Sequence, residues 1–170
     1  MNNIYLIGFM GAGKTAVART LSELTGREKC DTDDMIVEKE KTEISEIFQT
    51  KGEDYFRSVE REVVKSLTEK ENLIVSCGGG VIKSDENLSE LKHGGKVVFL
   101  SASPETVLER VSRNNRRPLL EGKKNVSDIT AMMEERRPLY EKAYDIKVEV
   151  DGKSLDIIAE EILEKLTINV

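Results

Sequence analysis

The sequence predicts an α/β domain, a five-stranded parallel sheet flanked by helices. Three observations predict it. Short apolar runs alternate with longer amphipathic ones along the chain, the pattern of strands joined by crossover helices. A glycine-rich turn at 8–15 stands between the first apolar run and the first amphipathic stretch. The length of 170 residues suffices for one core and falls short of two domains of ordinary size, so 1–170 is expected to form a single domain.

Strands are expected at 4–7, in a short run ending near Cys30, and at 73–76, 96–100 and 145–150, each short and mostly rich in Val, Ile or Leu. Helical stretches fill the intervals: 14–24, 35–41, 44–48, 53–70, 85–92, 104–113, 127–140 and 154–166. Gly26 and Gly94 sit where helix C-terminal glycines belong, and Ser103-Pro104 reads as an N-cap followed by proline at the first helical position. Two stretches exceed what a minimal sheet-and-helix sandwich needs, and such excursions serve as lids or binding loops. One is the helical region 33–70. The other is 114–125, polar, basic and broken by Pro118 and Gly122, which reads as a mobile flap or lid.

Composition narrows the function. Hydrophobic residues make up 38% and charged residues 34%, and no apolar run approaches the roughly 18–20 residues of a membrane span. The first residues, Met-Asn-Asn before the Ile4 run, carry no basic region and no apolar stretch of signal length, so a cytoplasmic location is expected. Cys30 and Cys77 cannot build a disulfide framework, and with His93 alone they cannot build a Cys/His zinc site. They are expected to be reduced, buried thiols closing two neighbouring strands, and His93 is given no catalytic role. The net charge of −6 offers no global attraction for nucleic acid or an anionic membrane and points to small-molecule partners.

Gly8-Phe9-Met10-Gly11-Ala12-Gly13-Lys14-Thr15 matches G-x-x-x-x-G-K-[ST] in full, after a strand and before a helix, as the motif requires. Its glycines let backbone N–H groups turn around phosphate oxygens at a helix N-terminus. Lys14 adds a charge at the β and γ phosphates, and Thr15 is placed to ligate Mg²⁺. Asp31-Thr32-Asp33-Asp34 follows the second strand, where ligands gather in an open parallel sheet. Alternate residues of an extended chain point the same way, so Asp31 and Asp33 could both face metal and acceptor. Asp33 or Asp34 could equally cap the helix starting at Met35, and the two readings are compatible.

Phe56, Val59, Val63 and Leu67 recur at helical spacing and form a buried stripe. Arg57 and Glu60 lie at its edge. By default they are a surface ion pair worth about 0.5 kcal/mol or less; the alternative is a guanidinium held by Glu60 to grip a carboxylate. Gly78-Gly79-Gly80 ends the strand at 73–76, which suggests positive φ or the close approach of a ligand, with a plain tight turn as the alternative. Arg116-Arg117-Pro118 and Arg136-Arg137-Pro138 are basic tracts that read as solvated charge or, near a triphosphate, as groups neutralising charge in phosphoryl transfer.

In their order, the phosphate loop, Asp31-x-Asp33, Gly52-Glu53 through Phe56-Arg57-x-x-Glu60, Gly78-Gly79-Gly80, Arg117-Pro118-Leu119-Leu120 and Arg136-x-Pro138-Leu139-Tyr140 resemble the shikimate kinase family over essentially the whole chain. A kinase for another acceptor is expected to share the first two motifs and not all six. The resemblance implies a P-loop fold of nucleoside monophosphate kinase type. It implies transfer of the γ-phosphoryl of ATP to the 3-hydroxyl of shikimate, within chorismate and aromatic amino acid biosynthesis, by a monomer using ATP and Mg²⁺. By resemblance Thr15, and Asp31 through water, hold Mg²⁺, while Lys14 and the backbone of Gly11, Ala12, Gly13, Lys14, Thr15 and Ala16 hold the phosphates. Asp33 is the candidate general base. Arg57, Arg136, Gly79 and Gly80 bind shikimate, with Glu60 orienting Arg57. Arg117 closes on the phosphates, Arg110 packs against adenine, and 151–154 forms the adenine loop. Two places depart from the family pattern, Lys29 before Asp-x-Asp and Ser76-Cys77 before the glycines, and neither removes a group the chemistry needs. The rivals are a gluconate kinase of the same fold and a non-catalytic ATP-binding regulator.

Overall fold

The computed structural model describes residues 2–113 and 125–168. In chain order the elements are β1 (Asn3–Ile7), α1 (Lys14–Thr25), β2 (Glu28–Asp31), α2 (Thr32–Glu40), α3 (Ile44–Thr50), α4 (Glu53–Thr68) and β3 (Leu73–Ser76). A short 3₁₀ turn (Val81–Lys83) leads to α5 (Asp85–Gly94), β4 (Gly95–Ser101), α6 (Pro104–Ser112), α7 (Val126–Ala143), β5 (Ile146–Glu149) and α8 (Leu155–Ile168). The expected lid at 114–125, with Arg116, Arg117 and Pro118, lies outside the described residues save Asn125, which caps α7.

The described strands form one five-stranded sheet in the order β2-β3-β1-β4-β5, and every neighbouring pair is parallel. Strand burial follows position in that order. Central β1 is buried at all five residues, so after Asn3 it reads as a continuous apolar run rather than an alternation. At the edge, β5 alternates buried and exposed, while β2 (Glu-Lys-Cys-Asp) is polar and half-open. Two cores result. Ile4, Leu6, Val98, Leu100, Ile146 and Val148 meet α1 and α8 on one face, and Tyr5, Ile7, Val75 and Val97 meet α4 and α5 on the other. The stripe read from sequence on α4 is buried as expected, joined by Val64.

Three local differences from expectation have clear causes. Helix α2 starts at Thr32, not Met35, because Asp31 is the cap: its side chain accepts from Asp33 N. Helix α7 runs through Pro138 to Ala143, since burying Tyr140 and Ala143 outweighs the one backbone hydrogen bond the proline forfeits. Gly94 is not a left-handed cap but the last residue of α5; a Cβ there would stand 2.6 Å from Tyr5 Oη, so close packing requires the glycine. Gly26 does cap α1, at φ 70°. Ser103 caps α6 ahead of Pro104, its hydroxyl accepting from Thr106 N. Among the described residues no helix is long and apolar enough to cross a membrane.

Because β3 and β4 flank β1, the chain leaves the centre in opposite directions and opens a crevice at the carboxyl ends of the strands. The phosphate loop, the Asp31 turn and the glycine turn after β3 all lie there.

Candidate active site

The loop between β1 and α1 is anchored by its own apolar residues, Phe9 and Met10, which are buried in the core. Gly11 (φ 81°) and Gly13 (φ 97°) take left-handed conformations that side chains disfavour. Helix α1 begins at Lys14 with no side-chain cap, and the N-terminus of a helix is where backbone N–H groups meet an anion. Lys14 Nζ donates to Gly8 O (2.7 Å) and Phe9 O (3.3 Å), which holds the ammonium across the loop. Arg110 of α6 donates to the carbonyls of Gly11 (3.2 Å) and Ala12 (2.9 Å), so its guanidinium lies against the loop itself. Nearby, both Asp151 carboxylate oxygens accept from Ser103 N at 3.1 Å, tying the loop after β5 to the start of α6.

Beside the loop, three oxygens gather. Thr15 Oγ1 donates to Asp31 Oδ2 at 3.2 Å and lies 3.4 Å from Ser76 Oγ. Asp31 and Ser76 are register partners at the end of the β2–β3 ladder. Hard oxygen donors with a single close carboxylate suit Mg²⁺, which keeps waters and takes its remaining ligands from substrate phosphates. Among the described residues there is no cluster of three His, Cys, Asp or Glu side chains able to hold a metal without such help. Asp34 borders the same cavity, its carboxyl raised by burial and then by the Asp31 charge.

On the other side stands the glycine turn. None of Gly78, Gly79 and Gly80 has positive φ, so backbone freedom is not the reason for them. Space is. A Cβ on Gly78 would lie 2.5 Å from Asp33 Oδ1, one on Gly79 3.4 Å from an Arg136 guanidinium nitrogen, and one on Gly80 2.2 Å from Arg57 Nη1. Gly78 and Gly80 thus make room for two of the side chains expected to meet the acceptor, while a Cβ on Gly79 would make only ordinary contact with the third. Arg136 also lies 5.3 Å from the centre of the Phe9 ring, a cation–π contact that joins α7 to the phosphate loop.

Arg57 and Glu60 are not a surface pair. Glu60 is 1% exposed, and its Oε1 accepts from Arg57 Nη1 at 2.8 Å. Burial pushes the Glu60 carboxyl above its ordinary value, with the Arg57 charge and hydrogen bond pulling back. A buried carboxylate of this kind fixes the guanidinium, whose Nη2 also donates to Glu53 Oε1 at 3.4 Å on the exposed side of α4. Cys30 and Cys77 do close the neighbouring strands β2 and β3. Cys77 is buried and Cys30 half-buried, and burial raises both thiols, that of Cys30 to about 11.

The structure therefore brings together Lys14, Thr15, Asp31, Asp33, Arg57, Gly79, Gly80 and Arg136, and places Arg110 on the loop. Arg117 lies outside the described residues. The alternation argument for Asp31 and Asp33 does not apply, because Asp33 is already helical; the first turn of α2, not an extended chain, aims it at Gly78. The sequence singled out Gly78 and Ser76 without giving either a place in the site. The signal for Gly78 was the run of three glycines, and for Ser76 a hydroxyl closing an apolar strand.

A family model described as shikimate kinase matches residues 10–167. The shikimate kinase of Persephonella marina is 41% identical over 166 residues, covering 98% of this chain and 99% of its own. Among solved structures, shikimate kinase from Acinetobacter baumannii in complex with shikimate superposes with a TM-score of 0.92 at 37% identity, over 99% of this chain and 94% of that one. A gluconokinase from Sinorhizobium meliloti, at 18% identity and TM-score 0.62 over 98% of this chain and 91% of that one, shares the fold alone.

Proposed function

The chain belongs to the shikimate kinase family, and from that premise we propose how its own residues carry a phosphoryl group from ATP to the 3-hydroxyl of shikimate. As a member it is an ATP-dependent kinase acting on shikimate, and enzymes of this family use ATP with Mg²⁺.

Arg57, held by Glu60, and Arg136 bind the shikimate carboxylate and a ring hydroxyl, with the backbone of Gly79 and Gly80 completing the clamp. Asp33 orients the acceptor hydroxyl and takes its proton as the oxygen bonds to the γ-phosphorus and the bond to the β-phosphate oxygen breaks, releasing ADP. Lys14 and the N–H groups of Gly11 to Ala16 hold the phosphates; Arg117 adds charge there, and Arg110 flanks the adenine. Thr15 and, through water, Asp31 are the groups that would hold Mg²⁺, which when bound neutralises charge on the phosphates. Alignment and charge neutralisation supply most of the rate in such a transfer.

One observation carries this reading: Asp33, Arg136 and Arg57 converge on Gly78, Gly79 and Gly80 in turn, opposite the phosphate loop. An arginine pair beside a carboxylate fits an acceptor with one carboxylate and reactive hydroxyls. The same reading makes 1–170 a single kinase domain, with acceptor-binding helices at 33–70 and a lid at 114–125. It makes the protein a cytoplasmic monomer with small-molecule partners, and the net charge of −6 argues against nucleic acid. The test is ADP formation from Mg·ATP by the purified protein with shikimate, gluconate or nucleoside monophosphates. Stimulation by shikimate alone is expected; stimulation by gluconate instead would overturn the acceptor assignment.

A further inference from the structure

The β2–β3 ladder ends at the pair Asp31 and Ser76, because α2 begins at Thr32. Strand β3 does not stop offering donors there. Cys77 N points toward β1, donating to Leu6 O at 3.0 Å, so the alternation of a strand turns the next N–H, that of Gly78, toward β2. Where a continued β2 would present a carbonyl, the Thr32 hydroxyl accepts from Gly78 N at 2.7 Å. Thr32 is fully buried. A side chain thus supplies one rung of the sheet beyond the end of its strand.

Its neighbours give that rung its importance. On one side is Asp31, bonded to Thr15; on the other is Asp33, whose carboxylate fills the space a Gly78 side chain would take. Gly78 opens the turn whose next residues face Arg136 and Arg57.

We propose that Thr32 is a positioning residue for phosphoryl transfer: its hydrogen bond to Gly78 locks the first turn of α2 to the glycine turn, setting Asp33 against the arginine clamp. This rests on the reading of Asp33 as general base. Val matches Thr in shape but cannot accept the bond, whereas Ser keeps the hydroxyl and loses only a methyl. Misplacing the base while leaving both arginines on their own helices should act on turnover more than on binding.

The experiment measures kcat, the KM values for ATP and shikimate, and thermal melting for Thr32→Val, Thr32→Ser, Asp33→Asn and the Thr32→Val/Asp33→Asn double variant. Thr32→Val is expected to lower kcat about tenfold to a hundredfold, with both KM values changing by less than about threefold. Thr32→Ser should recover most of the loss, and Thr32→Val should cost less than about twofold further once Asp33 is Asn. If melting shows Thr32→Val unfolded, Thr32→Ala takes its place. Normal turnover in the Val variant, equal damage from Ser and Val, or a full additive loss in the double variant would each overturn the proposal. Undiminished turnover in Asp33→Asn alone would instead overturn the reading of Asp33, whatever the Thr32 variants do.

Discussion

An alanine at 78 would put a methyl 2.5 Å from Asp33 Oδ1, and one at 80 would put it 2.2 Å from Arg57 Nη1. In both cases the atom met is the end of a side chain, so the fold can yield while the functional group moves. Gly78→Ala is expected to cut kcat by tenfold or more, roughly, and Gly80→Ala to raise the shikimate KM by about tenfold. Melting temperature should change little in either; steady-state kinetics beside a melt checks both, and matched losses of stability would return the glycines to a packing role. Glu60 makes a second prediction at this scale. Folding raises its pKa above the ordinary 4.5, chiefly through burial. The native state therefore keeps a proton that the unfolded chain has released; this contribution to stability is fully present below pH 4.5 and is lost as pH rises through the raised value. Glu60→Gln lacks that titration. The urea midpoint of the parent minus that of Glu60→Gln should grow as pH falls from 7 toward 5, and a flat difference would mean the carboxyl is not raised.

Elements meet at Asn3, the first residue of β1 and fully buried. The two hydrogens of its Nδ2 are shared among three acceptors, the carbonyls of Leu67 (3.1 Å) and Lys70 (2.9 Å) at the end of α4 and Tyr5 Oη (3.0 Å), while its Oδ1 accepts from Leu73 N (2.9 Å) at the start of β3. One amide thus joins β1, β3 and the exit of α4. Asn3→Ala takes the side-chain acceptor from the Leu73 N–H and the amide donor from the Lys70 carbonyl, while the Leu67 carbonyl keeps the Lys70 N–H, and a loss of about 2 kcal/mol is expected. For a chain of this size that is roughly 4–8 °C in Tm, measurable by calorimetry. Because α4 also carries Arg57, the shikimate KM should rise as well, with the ATP KM unaffected.

For the whole molecule, the thiols report global opening. Cys77 is buried against both β1 and the glycine turn, and the Cys30 thiol is raised to about 11. At pH 8 the native Cys30 should react with an aromatic disulfide about a hundredfold more slowly than an unhindered thiol of ordinary pKa, from thiolate fraction alone. Cys77 should react only as fast as the protein unfolds, so Mg·ATP with shikimate should slow its labelling by mass action. Labelling of Cys77 in the native state at the rate seen in urea would contradict the burial described here.

The fold class and the proposed phosphate site are both legible in the amino-acid sequence. Apolar runs separated by amphipathic helices and a Gly8–Thr15 loop at a strand-to-helix junction are local patterns, so they survive being read along a line. The sequence also named the groups proposed for the acceptor site, through the order of six short motifs. How those groups act on one another follows only from packing in three dimensions. A polar edge strand such as Glu28–Asp31 is defined by its partner β3 rather than by its own composition. Glu60 becomes a buried partner instead of a surface charge because it lies on the face of α4 that is packed inward, beside Val59 and Val63. The space at Gly78 and Gly80 is taken by side chains drawn from α2 and α4, tens of residues away in sequence. Steric exclusion and desolvation are properties of neighbours in space, and neighbours in space exist only once the sheet has ordered its strands β2-β3-β1-β4-β5.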